Sequence, residues 1–163
     1  VSGDEAGSGA ALVRLADTDV GLDIGVPAGW DAVSTASFPL ALVAPEEELF
    51  RANIGVLVGT LEPASVEGFE SRIANLRASR TAELPAFAIR SERVGPQNGY
   101  PGWQMRATWD FEGRTVTQVT VVFVTENEAL YELTGTTLLR LEEQYLPIFR
   151  QVFGSLKVLP AAG

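Results

Sequence analysis

The chain is 163 residues long, the size of a single domain. At 46% hydrophobic it has enough apolar content for a packed core and too much for a disordered chain. Acidic residues number 21 and basic residues 12. The resulting net charge of −9 argues against a nucleic-acid grip built on clustered cations and against adhesion to anionic lipid by charge alone. There is no cysteine and no histidine. That removes disulfides, thiolate nucleophiles, iron–sulfur clusters, His- or Cys-ligated metals and the Ser-His-Asp triad. The single lysine, Lys157, stands beside Ser155 near the C-terminal end, a poor place for a catalytic dyad. No catalytic residue, metal ligand or cofactor site is therefore expected.

The chain starts at Val1, the sign of a processed or trimmed product, and shows no signal peptide. It has no apolar run long enough to cross a membrane as a helix. Its first residues, VSGDEAGSGA, are small and polar. They predict a flexible linker over residues 1–16, with one domain over 17–163. A tether to something upstream, a cloning remnant and a frayed end are alternative origins for it.

Val20 to Val26 alternates and stops at Pro27-Ala28-Gly29-Trp30, a strand ended by a turn. Pro39 to Val43 is a short apolar run closed by Ala44-Pro45 and the acidic loop Glu46-Glu47-Glu48. Asn53 to Leu61 is rich in β-formers and predicts a central strand. Then the period changes. Val66, Phe69, Ile73 and Leu76 share one helical face, Ser65 is an N-cap candidate, and Arg77 and Arg80 suit the C-terminal end. Gly68 inside this helix weakens it.

Four strands follow. Phe87 to Val94 ends at the turn cluster Gly95-Pro96-Gln97-Asn98-Gly99. Gly102 to Phe111 places Trp103, Met105, Ala107, Trp109 and Phe111 on one face. Glu112-Gly113 is a tight hairpin signal. Thr115 to Val124 aligns Val119, Val121 and Phe123, and Leu130 to Thr134 points Tyr131 and Leu133 inward. The last element is helical: Tyr145, Ile148, Phe149, Val152 and Phe153 keep the helical period. Pro147 is expected to open a fresh helix after a looser turn at Leu138 to Tyr145, and Gly154 to stop it. Consecutive hairpins with separate helices predict an α+β fold: an antiparallel sheet of about six or seven strands flanked by helices.

The order of motifs resembles the actinobacterial LpqN-type lipoproteins. The motifs are Pro27-Ala28-Gly29-Trp30, Leu42-Val43-Ala44-Pro45, Phe50-Arg51-Ala52-Asn53-Ile54, the Val66 to Leu76 helix, Pro101-Gly102-Trp103, Tyr131-Glu132-Leu133-Thr134-Gly135, and Ile148-Phe149 through Phe153-Gly154-Ser155-Leu156. More broadly the chain is similar, over about residues 20–158, to the superfamily that includes DcrB, the photosystem protein PsbP and a nuclear Ran-binding protein. The resemblance implies an α/β/α sandwich and a non-catalytic role in binding or assembly. It also implies export and tethering outside the cytoplasmic membrane through a lipidated N-terminal Cys. That Cys is absent here, so either the lipidated residue lies upstream of Val1 or this member is not lipidated.

Several constellations admit both a structural and a functional reading. Gln104, Arg106, Thr108 and Asp110 lie opposite the aromatic face of their strand. If they register with Gln118, Thr120, Glu132 and Thr134, one sheet face becomes a polar patch. Arg106, Gln118 and Glu132 would then bind a ligand or partner, or simply form a solvated face with an Arg106–Glu132 cross-strand pair. Asn53 suits a local turn bond, and Arg51 offers a fork for a carboxylate or phosphate. Trp103 and Trp109 read as core, and Trp30 as a lid over the core or a pocket rim. Tyr100 is the aromatic residue best placed for an exposed contact. Asp17, Asp19 and Asp23 alternate like a calcium loop but lack its glycine and terminal glutamate.

Three functions compete. The first is a non-enzymatic binding or assembly module, extracytoplasmic and monomeric, whose partner is a protein. The second is a carrier of a lipid or other apolar ligand in a pocket between helix and sheet. The third is an enzyme working through a pair of carboxylates.

Overall fold

The computed structural model describes residues 11–160. A seven-stranded antiparallel sheet forms the centre. In chain order the elements are β1 (Leu12–Asp17), β2 (Leu22–Pro27), β3 (Asp31–Val33), β4 (Leu40–Val43), β5 (Asn53–Thr60), α1 (Val66–Glu83), β6 (Ala88–Val94), β7 (Gly102–Phe111), β8 (Arg114–Val124), β9 (Ala129–Leu138), α2 (Glu142–Ser155) and β10 (Lys157–Val158). The main sheet runs β3-β4-β5-β9-β8-β7-β6, and a small sheet runs β1-β2-β10. This is the expected α+β architecture, with a helix on each side of the main sheet.

The expected linker, 1–16, is shortened by the structure. Residues 1–10 lie outside the described residues, but Leu12–Asp17 pair with β2 in the register Leu12↔Pro27 to Asp17↔Leu22. Leu12 and Leu15 pack against the core, and this contact draws the segment into the fold. The short strands β3 and β10 carry too few residues to show a period.

The two faces of the main sheet each have a core. On the front face α1 lays Ile73, Phe69 and Leu76 over Trp103, Met105, Ala107, Val122 and Leu130. Gly68 is needed there: a Cβ at this position would sit 1.9 Å from the Pro63 carbonyl oxygen. Ser65 caps α1 as expected, its hydroxyl accepting the Gly68 N–H at 3.0 Å. On the back face α2 lays Tyr145, Phe149, Val152 and Phe153 over Val119, Val121, Phe123, Tyr131 and Leu133, and β2 closes its flank with Leu22, Ile24 and Val26. Burying a side chain such as Phe149 contributes roughly 1.5–3 kcal/mol.

Helix α2 does not begin at Pro147. It runs from Glu142, entered through a 3-10 turn at Leu139–Leu141. Proline here removes the donor to the Glu143 carbonyl, but both residues are exposed and water can serve that oxygen. The helix also runs through Gly154 to Ser155. Its C-terminal end is held from outside: the Asn98 amide donates to the Phe153 and Leu156 carbonyls at 2.9 and 3.0 Å.

Candidate functional site

Strand register decides which polar side chains meet. Arg106 on β7 faces Val119 on β8, which faces Gly135 on β9. Gln118, Thr120, Glu132 and Thr134 belong to the other set of rows, with Ala107, Met105 and Trp103. Arg106 is therefore on the back face, whereas Gln118 and Glu132 are on the front face. The expected single polar patch and the Arg106–Glu132 pair do not form. The physical reason is that the sheet has a core on both faces, so alternation along β7 separates two cores instead of core from solvent.

The front-face set converges on a residue that sequence reasoning assigned only to a helix end. Arg80, on the last turn of α1, reaches down to the sheet with its side chain only 14% exposed. Its guanidinium donates to Gln118 Oε1 at 2.9 Å, to Thr120 Oγ1 and to Thr134 Oγ1 at 3.1 Å, and pairs with Glu132 at 3.4 Å. Gln118 passes a longer bond, 3.5 Å, to Thr136. Burial holds the Arg80 pKa below that of an ordinary guanidinium, and Glu132 opposes the shift. One turn earlier Arg77 pairs with Glu92, whose carboxylate also accepts the Trp103 indole N–H at 2.9 Å. The signal for this network was the alternation of Gln118 with Thr120 and of Glu132 with Thr134, read together with an arginine at the end of a helix that had to cross them.

The back face is covered unequally. Helix α2 sits over β8 and β9, leaving the outer strands β6 and β7 open beside it. Here lies a cavity of about 530 Å³, with Val119, Val121 and Phe153 at its apolar base and Gln104, Arg93, Arg106 and Arg150 around it. Arg106 pairs with Glu142 at the start of α2, 2.6 Å away. Gln97 and Asn98 line the same cavity, so the loop that caps α2 also forms a wall of the groove.

The remaining expected residues fall elsewhere. Asn53 takes the structural role, its amide donating to the Arg51 carbonyl at 3.0 Å. The Arg51 side chain is exposed, and neither residue lines the groove. Tyr100 is half-buried instead of freely exposed. It stacks on Phe123 at 5.5 Å, and Phe123 stacks on Tyr131 at 5.2 Å, because the aromatic surface of the back core continues to the loop. The Tyr131 hydroxyl donates to the Gly21 carbonyl at 3.0 Å, and burial, then the neighbouring Tyr100, raises its pKa. Trp103 is fully buried and Trp109 half-buried, and Trp30 leans on the Tyr145 ring at 6.3 Å.

The acidic runs have local tasks. Asp17 accepts the Asp19 and Val20 N–H groups in the β1–β2 turn, and Asp23 pairs with Arg14 at 2.6 Å. The acidic loop Glu46-Glu47-Glu48 is tied down: Glu47 accepts from the Tyr145 hydroxyl at 2.8 Å, and Glu48 pairs with Arg140 at 3.2 Å. Among the described residues no three His, Cys, Asp or Glu side chains gather as a metal site.

The seven-stranded antiparallel sheet between two helices is the PsbP-like fold. No protein-family model and no curated protein matches the chain. Solved structures do match it. The solution structure of cyanobacterial PsbP (CyanoP) from Synechocystis sp. PCC 6803 has a TM-score of 0.68 at 14% identity, covering 91% of this chain and 93% of that one. PA94 from Pseudomonas aeruginosa, described as a putative regulator of unknown function, reaches 0.64 at 16%, covering 93% and 99%. LpqN of Mycobacterium tuberculosis, described as involved in cell envelope biogenesis, reaches 0.64 at 17%, covering 91% and 90%. At these identities what is shared is the fold, and LpqN stands level with the other two.

Proposed function

We propose that this chain is a non-catalytic binding module of the LpqN-like kind, working outside the cytoplasm at the cell envelope and docking a protein partner. The observation that carries this reading is the groove beside α2, where β6 and β7 present Gln104, Arg93 and Arg106 around an apolar base. An apolar base with a polar rim is the anatomy of a protein interface. Ser91 and Glu92 also border the groove, but the Glu92 carboxylate is held by Arg77 and the Trp103 indole on the opposite face of the sheet. The likeness to LpqN, itself described as acting in envelope biogenesis, supports the location. Under the middle of α2 the Phe149 ring rests directly on the backbone of Gly135, which favours docking in the groove beside the helix over an apolar carrier pocket beneath it.

A photo-crosslinking residue at Gln104, compared with one at Glu112 on the far hairpin, tests the reading in the native host. The expected result is an adduct to one protein from position 104 only. That protein, purified, should bind the Gln104→Trp variant at least tenfold more weakly than the wild type. Undiminished binding to Gln104→Trp, or a stoichiometric lipid co-purifying in native mass spectrometry, would overturn it.

A further inference from the structure

Resting on that reading, we infer that the groove selects an acidic, extended segment of its partner, with arginine forks on β6, β7 and α2 receiving its carboxylates. The chain carries net charge −9, yet four of its 12 basic residues stand at this one place. Arg93, Arg106 and Arg150 line the cavity, and Arg90 lies on the strand beside it. Arg93 and Arg150 are exposed and have no ion pair among the described residues, while Arg106 has Glu142. Glu92 also borders the cavity, but its carboxylate is turned to the front face, where Arg77 and Trp103 hold it. The groove thus has an excess of cations with guanidinium forks suited to carboxylates.

A backbone irregularity concentrates these groups. The β6–β7 register shifts between Ile89 and Ser91. In a regular strand Arg90 and Ser91 would point to opposite faces. The bulge instead lets Arg90 donate to Thr108 Oγ1 at 2.9 Å on the back face, while Ser91 still lies opposite Arg106 on that face. Bulges re-aim side chains in this way. Three consecutive residues of β6, Ser91 to Arg93, line the groove, a stretch of about 10 Å at the usual rise. The groove is open along its outer side because β6 is the last strand, a shape for an extended chain. In a chain of net charge −9, a local cluster of arginines favours a negatively charged segment over a positively charged one.

Fluorescence anisotropy of the intact chain with fluorescein-labelled (Glu-Val)4, (Gln-Val)4 and (Lys-Val)4 peptides, and with a thymidine octanucleotide, tests this. The expected result is that (Glu-Val)4 binds at least tenfold more tightly than the other three. Its affinity should fall with added salt, and at least tenfold in the Arg93→Glu/Arg150→Glu variant. Both sites are exposed, and a circular dichroism spectrum matching the wild type confirms the fold of the variant. Equal binding of (Glu-Val)4 and (Gln-Val)4, a preference for (Lys-Val)4 or the oligonucleotide, no binding of any probe, or less than a twofold effect of the charge reversal would overturn the inference. The Gln104→Trp variant separates the two levels. If it blocks a peptide that charge reversal leaves unaffected, the groove binds without reading charge, and only the acidic selectivity fails. If it blocks nothing, the groove itself is not the site.

Discussion

Replacing Arg80 by methionine keeps most of the aliphatic stem and removes the cation that the front face is built around. Glu132, only 12% exposed, then loses its ion-pair partner, and Gln118 Oε1 loses its donor. Thr120 and Thr134 keep each other at 3.2 Å, and the Gln118 amide keeps Thr136, so the loss concentrates on the carboxylate. Breaking a buried pair by removing one partner costs about 3–5 kcal/mol. The 3.4 Å separation is loose for an ion pair, which places this case at the lower end, about 3 kcal/mol. For a chain of this size that corresponds to a fall in Tm of roughly 6–12 °C. The assay is urea and thermal unfolding of wild type, Arg80→Met, Glu132→Leu and the double variant. Removing both charges leaves no unpaired buried charge, so the double variant should be more stable than Arg80→Met alone. A single-variant cost below about 1 kcal/mol, or a coupling near zero in the cycle, would show that water already screens the pair and would refute the reasoning.

Two further outcomes follow from the back face. The Tyr145 hydroxyl is pushed up to about 12 by burial, by its hydrogen bond to Glu47 and by that carboxylate's charge. An unfolded tyrosine titrates near 10, so the stabilisation is complete below about pH 10 and is lost as pH rises through about 12. Alkaline difference spectroscopy should show a late-titrating phenol that is lost in Tyr145→Phe, and unfolding of that variant should be less sensitive to pH in this window. An alanine at Gly135 would place its Cβ 2.6 Å from the Phe149 ring. The expected cost is about 1–3 kcal/mol by denaturant unfolding, and a Phe149→Leu background should reduce it.

Much of the framework was legible because its periods are long and local. The ten and eleven residues of β7 and β8, the Glu112-Gly113 turn with positive φ at both positions, and the apolar stripe of α2 state their structure in their own spacing. Strand β1 was read as linker because its exposed Val13 and Arg14 carry no inward pattern, and only pairing with β2 settles it. The site was harder for the same reason. Which polar residues share a face depends on register between strands, and a one-residue step reverses the answer. Arg106 carries a polar group at a sheet position, but its expected neighbours Gln118 and Glu132 lie on the opposite face. Arg80 was visible only as a helix-end charge, since nothing local shows that the helix crosses a row of threonines.

The irregular strand β6 has one more effect, on how copies of this molecule meet. An open sheet ends in two rows of unpaired backbone groups that invite another chain to pair with them. Here one end is β3, only three residues long. The other, β6, is broken by its bulge and studded with Arg90, Glu92 and Arg93. Neither margin offers a long flat template, so the distortion that gathers arginines over the groove also guards the sheet against edge-to-edge aggregation.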